Sequence, residues 1–138
     1  MVAESKAHKR LKEVIKNYLK RQKWSVLEEE RIVVVLRQDG SYGAYFRPDI
    51  IARKGKKGLC VEVVTKPTWK TMGGYLFVMW LAQQGRLVTE GGRFPVSDFW
   101  LVVPKSSLEK GSTTLKGWLD LFKEMGAAIG VRVTVVPI

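Results

Sequence analysis

The stretch RPDIIARKGKKGLCVEVVTK, residues 47–66, decides the fold that the sequence predicts. Two β-prone runs, 50–52 and 59–65, flank the turn-forming sequence GKKG at 55–58, and this pattern predicts a β-hairpin. An acidic residue, Glu62, lies in the middle of the second run. A charge inside a buried strand is costly unless it is paired, so Glu62 needs a partner or a function.

The hairpin brings Glu62 close to a second acid, Asp49. With the tight turn at 56–57, the pairing runs down to Asp49 opposite Val64. Side chains alternate along a strand, so Asp49 and Glu62 share one face as diagonal neighbours, about 7–8 Å apart at Cα. Lys66 shares this face, one strand repeat or about 6–7 Å beyond Val64. Two carboxylates that converge in this way suit a divalent cation such as Mg²⁺.

These acids resemble the metal site of the PD-(D/E)xK nuclease superfamily. Pro48 and Asp49 match the PD of the motif, and Glu62, thirteen residues later, matches its second acid. The resemblance implies that Asp49 and Glu62 hold Mg²⁺, for which Mn²⁺ can substitute. It also implies that the carbonyl oxygen of Val63 helps to bind the metal.

The lysine of the family motif is displaced in this chain. Family members carry it two residues after the second acid, where it activates or positions the attacking water, and Val64 takes that place here. The resemblance therefore transfers this role to Lys66, which would neutralise charge or orient the water. Val64 also leaves a second interpretation open, a catalytically inactive nucleic-acid-binding protein with the same fold.

Each acid also has an ordinary structural interpretation. Asp49 follows a proline and can be a strand-entry or turn residue. Glu62 can lie on the solvated face of an edge strand and pair with Arg53. The order of the predicted elements, which does not depend on the two acids, favours the nuclease-like interpretation.

A basic amphipathic helix is predicted over 4–23, where apolar residues recur at helical spacing. Its other side carries Lys6, Lys9, Arg10, Lys12, Lys16, Lys20, Arg21 and Lys23. Such charges are usually solvated, but the scarcity of acids among them favours contact with phosphates.

Family members often place a third catalytic acid on this first helix. Glu4 falls close to the apolar stripe, whereas Glu13 points almost opposite to it. Glu4 is therefore the preferred third acid. His8 lies on the edge of the stripe and is either a surface histidine or a ligand of the site.

The remaining predicted elements complete the order helix, three strands, helix, strand, helix, strand. Outside the hairpin they are a strand at 32–37, a helix at 68–84, a strand at 98–104, a helix at 113–125 and a strand at 131–136. This order matches the αβββαβ core of the family. It predicts an α/β, restriction-endonuclease-like domain over 1–138, with a mixed central sheet flanked by helices.

The run 75–82 is apolar on all sides and predicts a buried helix, covered by the sheet and by a partner subunit. A buried strand is the competing interpretation of this run, because Gly73 and Gly74, which precede it, are unfavourable in a helix. This run also suggests a third possible function: the protein would be a structural or assembly subunit, and the run would form its interface. At this length the run is too short to cross a bilayer, so no membrane partner is expected.

The composition indicates an intracellular protein with a polyanionic partner. The chain has 138 residues, one cysteine and one histidine, which excludes an intrachain disulfide and the usual zinc cluster and indicates a reducing, cytoplasmic setting. Its 24 basic and 13 acidic residues give a net charge of +11. Nucleic acid fits this charge best; an anionic membrane surface and simple solubility are the alternatives.

The combined expectation is a small Mg²⁺-dependent DNA endonuclease, most similar to the archaeal-type Holliday junction resolvases. This resemblance implies a homodimer that acts on branched or duplex DNA with little sequence readout. The residues expected to contact phosphates are Arg47, Lys54, Lys56, Lys57 and Lys70.

Overall fold

The computed structural model describes residues 5–27, 32–110 and 113–138 of a mixed α/β protein. The helices of this part are α1 (Lys6–Arg21), α2 (Trp69–Gln83), α3 (Lys105–Glu109) and α4 (Thr113–Ala128). Its strands are β1 (Ser25–Val26), β2 (Val33–Leu36), β3 (Tyr42–Phe46), β4 (Ile50–Lys54), β5 (Lys57–Val63), β6 (Leu87–Thr89), β7 (Gly92–Arg93), β8 (Asp98–Val103) and β9 (Arg132–Pro137).

A five-stranded mixed sheet in the order β1-β4-β5-β8-β9 forms the centre of the fold. β4 is antiparallel to both β1 and β5, whereas β8 is parallel to β5 and β9 is parallel to β8. The parallel pairs are joined through helices, as parallel connections require. β5 is therefore an interior strand with a partner on each side.

The β4–β5 hairpin turns one residue earlier than the sequence predicts. Its last pair is Lys54 with Lys57, so the two turn residues are Gly55 and Lys56 instead of 56–57. Gly55 has a φ of 61°, a left-handed conformation that glycine adopts without steric cost. The pairing shifts by two residues, an even number, so every side chain stays on the face expected for it.

Helices cover the two faces of the central sheet and form a core on each. On one face, α1 packs through Ile15 and Leu19 against a cluster that includes Ala52, Leu59, Val61, Val63 and Val102. On the other face, α2 and α4 pack against a cluster that includes Ile51, Cys60, Met79, Phe99, Leu101, Phe122 and Val133. Because side chains alternate, Ile50 and Ala52 of β4 share one core with the odd-numbered residues of β5, whereas Ile51 and Cys60 belong to the other core.

The strand predicted at 32–37 forms β2, but it belongs to a second sheet. β2 pairs with β3 and β6 in a four-stranded antiparallel sheet of order β3-β2-β6-β7. β3 was not predicted, because the turn-forming sequence QDGSYG at 38–43 indicates a loop and overlaps the start of this strand. Asp39 closes that loop by accepting hydrogen bonds from the backbone N–H and hydroxyl of Ser41, at 2.9 and 2.6 Å, and this turn returns the chain alongside β2.

Helix α2 confirms that the apolar run 75–82 is helical, but the helix is only half covered. Met72, Met79, Leu81 and Ala82 are buried, whereas Phe77 and Trp80 are 61% and 46% exposed. The sheet covers one side of a helix, so a helix that is apolar all round keeps an apolar outer face. In the part of the chain described, no helix is both long and apolar enough to traverse a membrane.

Gly58, in β5, is expected to be intolerant of any side chain. A Cβ atom there would lie 1.7 Å from the carbonyl oxygen of Pro95, and the Gly58 carbonyl accepts hydrogen bonds from the backbone N–H and hydroxyl of Ser97, at 2.9 and 3.1 Å. We expect Gly58→Ala to lower the free energy of unfolding by about 1–3 kcal/mol or more. Urea denaturation measures this change.

Gly74→Ala is the matched control, because nothing lies within 4 Å of a Cβ atom at that helical position. We expect it to raise the free energy of unfolding by about 0.5–1 kcal/mol, since alanine favours a helix interior over glycine. Wild-type stability of Gly58→Ala would contradict the close approach of Pro95.

Candidate functional site

Asp49 and Glu62 meet at the open end of the β4–β5 hairpin. Ile50 pairs with Val61, and continuing this antiparallel register by one residue places Asp49 directly opposite Glu62. The sequence predicted a diagonal relation, and the earlier turn converts it into a closer, face-to-face one. The two carboxyl groups are near enough to influence each other, since the charge and carboxyl group of Asp49 help to raise the pKa of Glu62.

Asp49 is held by two further groups. Its Oδ2 accepts a hydrogen bond from the backbone N–H of Val63 at 2.8 Å. Its Oδ1 lies 3.1 Å from Nε2 of His8, which α1 carries to the edge of the sheet. The backbone N–H of His8 in turn donates to the hydroxyl of Ser5, the N-cap of α1, at 3.1 Å. The start of α1 is thereby connected to the acid pair.

Glu62 is largely buried, and its surroundings favour the protonated form. Burial, then the negative charge and the hydrogen-bonded carboxyl of Asp49, raise the pKa of Glu62 to about 8. The backbone N–H of Asp49 and the hydroxyl of Tyr75 donate to Glu62 and partly oppose this rise in pKa. Burial, followed by the charges of the two acids, raises the pKa of Tyr75 as well.

Cys60 lies one strand repeat before Glu62 on the same face and is only 3% exposed. Burial raises the pKa of its thiol well above the ordinary value, and the charges of Glu62 and Asp49 add to this effect. Only the thiolate is an effective nucleophile or metal ligand, so the neutral Cys60 thiol is a packing residue here.

The acid pair is chemically suited to a hard divalent cation. Two carboxylates in contact repel each other unless a proton or a cation lies between them, and oxygen ligands of this kind suit Mg²⁺, which normally keeps several water ligands. Within 5–27, 32–110 and 113–138, no group of three or more His, Cys, Asp or Glu side chains is arranged to hold a metal. Among the side chains of the described residues, those available to such a site are therefore the two carboxylates.

The structure does not favour the alternative partner that the sequence offered for Glu62. Arg53 donates to the hydroxyl of Thr89 at 3.1 Å and to the backbone carbonyl of Arg93 at 3.2 Å, and its guanidinium lies 4.9 Å from the ring centroid of Phe94. Glu62 also lies on an interior strand rather than an edge strand. The interpretation of Glu62 as a solvated acid paired with Arg53 is therefore wrong.

Lys66 lies outside the strand that was expected to carry it to the site. β5 ends at Val63, and Lys66 follows in an exposed bend, so strand alternation does not place its side chain beside Glu62. Val63 contributes its backbone N–H to Asp49, while the expected role of its carbonyl oxygen stays a prediction. Glu4, the expected third acid, lies outside the described residues.

The residues expected to contact DNA do not form one cluster. Arg47 is two residues from Asp49, but Lys56 and Lys57 are exposed at the closed end of the hairpin, about 17 Å from the acids at 3.4 Å per residue. Lys54 donates to the backbone carbonyl of Gln22 at 2.9 Å. Its ammonium also lies 5.7 Å from the ring centroid of Trp24, and Lys70 is exposed near the start of α2.

Sequence reasoning overlooked Tyr75 and left His8 undecided. Tyr75 begins the apolar run 75–82 and was counted there as a hydrophobic residue, although it carries the only hydroxyl of that run. That hydroxyl is the signal that could have identified it. No comparable signal existed for His8, because only the path of the chain brings α1 to Asp49.

Comparison of the chain with protein-family models, with curated proteins and with solved structures found no match. The functional assignment therefore depends on the geometry of the acid pair and on the charge around it.

The raised pKa of Glu62 makes stability depend on pH. Its folded pKa of about 8 exceeds the ordinary 4.5, so between these values the folded protein binds more protons than the unfolded chain. The free energy of unfolding therefore falls as the pH rises through this window, by at most about 5 kcal/mol. We expect Glu62→Gln to remove this fall and to be more stable than wild type at pH 8.

Urea denaturation between pH 4.5 and 8.5, in EDTA so that no metal replaces the proton, measures the effect. Glu13→Gln is the control, since the Glu13 side chain is 64% exposed, and it should follow the wild-type curve. Parallel curves for wild type and Glu62→Gln would show that Glu62 is ionised in the folded protein.

Proposed function

We propose that the protein is a metal-dependent DNA endonuclease that hydrolyses phosphodiester bonds on a restriction-endonuclease-like fold. The observation that carries this proposal is the contact between Asp49 and Glu62 at the open end of the hairpin. Two carboxyl groups held opposite each other, of which Glu62 has a raised pKa, can bind a divalent cation in place of a proton. DNA phosphate is the substrate that the net charge of +11 favours.

Asp49 and Glu62 would hold Mg²⁺ or Mn²⁺ at this site. When bound, the metal lowers the pKa of a coordinated water and stabilises the charge of the phosphate in the transition state. His8 and the Val63 N–H fix the orientation of Asp49, and the Tyr75 hydroxyl lies near enough to Glu62 to affect its pKa. The Lys66 side chain would extend to the site from the bend in which Lys66 lies.

The arrangement of the central sheet supports the proposed fold. The antiparallel hairpin β4–β5 is followed by α2 and by the parallel strand β8, in the order expected for the family core. The departure is the first strand of that core, because β2 lies in the second sheet. Helix α1, which carries His8 and most of the basic side chains near the N-terminus, supplies the helix that precedes the strands.

Asp49→Ala is expected to abolish cleavage and to leave DNA binding intact, because it removes a metal ligand but no phosphate contact. The assay compares four-way junction, flap and linear duplex DNA in Mg²⁺, in Mn²⁺ and in EDTA. Asp120→Asn is the matched control, since Asp120 is an exposed acid on α4, and it should cleave at the wild-type rate.

Metal binding provides a readout that does not require cleavage. We expect Mn²⁺ to raise the melting temperature of wild type and of Asp120→Asn but not that of Asp49→Ala, because a ligand of the folded state stabilises it. Full cleavage by Asp49→Ala, or an equal Mn²⁺ shift in all three proteins, would contradict the assignment of the acid pair.

The second candidate function is a DNA-binding protein without catalytic activity. It is favoured by Val64 in the lysine position of the motif and by the exposed bend that carries Lys66. Tight, salt-sensitive DNA binding with no cleavage in either metal would identify it, since phosphate contacts weaken steeply with ionic strength.

We also propose that the protein is a homodimer that associates through the outer face of α2 and α4. This face exposes Trp69, Phe77, Trp80, Trp118, Leu121 and Met125. Between the helices lies an apolar groove of about 280 Å³, beside which Trp69 and Trp118 stack at 6.1 Å.

A second copy of the chain is the occupant that area and charge support. Four aromatic rings about half exposed offer roughly 400 Å², about half of the area that each partner buries in a standard interface. Lys70 is the only charged residue of α2. Two copies with a charge of +11 each can therefore meet on this face without close repulsion.

Phe77→Glu is expected to convert the dimer to a monomer, because each copy would bury a carboxylate at the two-fold interface. Size-exclusion chromatography with light scattering measures the mass. Val14→Glu is the control: Val14 is 48% exposed on α1, away from this face, and its variant should stay dimeric. A monomeric wild-type protein at high concentration would contradict the proposed dimer.

A further inference from the structure

The second sheet has an outer face that no helix of the described chain covers. Val33 and Val35 of β2 point into the core shared with α2, so the alternate residues, Val34 and Leu36, point outward. Val34 pairs with Tyr45, and Leu36 pairs with Tyr42. Residues paired across strands lie on the same face, so both tyrosines lie on the outer face.

An irregularity in β3 allows Tyr42 and Tyr45 to lie on the same face of the sheet. Tyr42 and Tyr45 are three residues apart, and in a regular strand they would point to opposite faces. The pairing with β2 shifts between Val35 and Leu36, which leaves Gly43 as an extra residue, the arrangement of a β-bulge. A Cβ atom at Gly43 would lie 2.9 Å from the carbonyl oxygen of Val35, so the bulge requires glycine.

Both tyrosines are open to solvent, at 57% and 56% exposure. Val34, Leu36 and Val88 are half-buried on the same side and complete an apolar floor beneath the rings. We call these five residues, Val34, Leu36, Tyr42, Tyr45 and Val88, the tyrosine face.

Four arginines lie in or beside the second sheet, and one of them contacts a ring of the tyrosine face. The Arg47 guanidinium lies 6.0 Å from the ring centroid of Tyr45, and the Arg37 side chain passes beside Gly43. Arg86 hydrogen-bonds the Leu36 carbonyl at 2.8 Å, and Arg93 belongs to β7. None of the four strands, all of which are described, contains an acidic residue; the turns within the sheet contain Asp39 and Glu90, and the sequence that precedes β2 contains Glu28, Glu29 and Glu30.

We propose that the tyrosine face binds unpaired bases of single-stranded DNA. Exposed aromatic rings on a strand surface stack on bases of any sequence, and surrounding arginines contact the phosphates between them. The positive charge favours this polyanion over a second copy of the same basic chain. The inference extends the proposed function, because it defines the substrate as DNA with an unpaired strand next to the cleaved phosphate.

The path of the chain places the tyrosine face close to the acid pair. Tyr45 precedes Asp49 by four residues, which span at most about 14 Å. A base stacked on Tyr45 therefore lies within a few nucleotides of a phosphate at the acids. Flapped DNA carries unpaired bases within a few nucleotides of a duplex phosphate, whereas an intact linear duplex carries none.

The test is the affinity of a labelled 12-nucleotide oligo-dT, measured by fluorescence anisotropy in EDTA. We expect the double variant Tyr42→Ala/Tyr45→Ala to bind at least about twenty-fold more weakly than wild type, from about fivefold or more per tyrosine. Its dependence on salt should stay unchanged, because tyrosine displaces no counterions. Tyr42→Phe/Tyr45→Phe keeps the rings and should bind like wild type.

Tyr18→Ala is the matched control, since Tyr18 is 43% exposed on α1 and lies outside the second sheet. Oligo-dT affinity unchanged in the double alanine variant, lost equally in the phenylalanine variant, or absent in wild type would overturn the proposal. An alanine variant that changes self-association but not oligo-dT affinity would overturn it too, in favour of a protein partner.

If the double variant does not fold, a measurement on the wild-type protein still tests the proposal. An oligonucleotide that contains 5-iodouracil should cross-link on irradiation to Tyr42 or Tyr45, as identified by mass spectrometry of the peptides. Cross-links confined to other residues would overturn the proposal. Both experiments omit metal, so oligo-dT binding without metal-dependent cleavage would overturn the nuclease alone, and cleavage without oligo-dT binding would overturn the tyrosine face alone.

Discussion

The contact between the carboxyl groups of Asp49 and Glu62 is the constraint on which the rest of the structure depends. Two acids in a partly buried position repel each other, and folding alone provides no reason to keep them together. The protein nevertheless surrounds them with donors from three elements: a backbone N–H of β5, the imidazole of α1 and the phenol of α2. Such support on all sides is typical of residues kept for chemistry, which need a fixed geometry more than they need stability.

The faces of the hairpin could be predicted from the sequence, but its register could not. Alternation assigned Asp49 and Glu62 to one face correctly because the actual turn differs from the expected one by an even shift in pairing, whereas an odd shift would have separated them. The choice between the turns depended on which residue takes a positive φ, and both Gly55 and Gly58 qualified on composition. The structure uses Gly55 for the turn and Gly58 for the contact with Pro95, a distinction that requires long-range packing.

The second sheet shows where local sequence patterns are insufficient. β2 was predicted as a strand, yet its partners could not be identified, because β6 and β7 are too short to have a periodicity of their own. β3 contains a bulge at Gly43, which breaks the alternation by which strands are recognised. The same bulge creates the tyrosine face. The acid pair was predictable because it lies within one continuous hairpin, whereas His8 and Tyr75 reach it from elements that only tertiary packing brings near.

Cys60 can serve as a chemical probe of how the site around it opens. Its thiol is enclosed under α2 beside the two acids and is held in the unreactive neutral form. A thiol reagent can modify it only after α2 has separated from the sheet and the charges around the sulfur have dispersed. Because the chain contains one cysteine, labelling reports on this opening alone, so the rate of labelling measures how readily the site opens in a protein that carries no substitution.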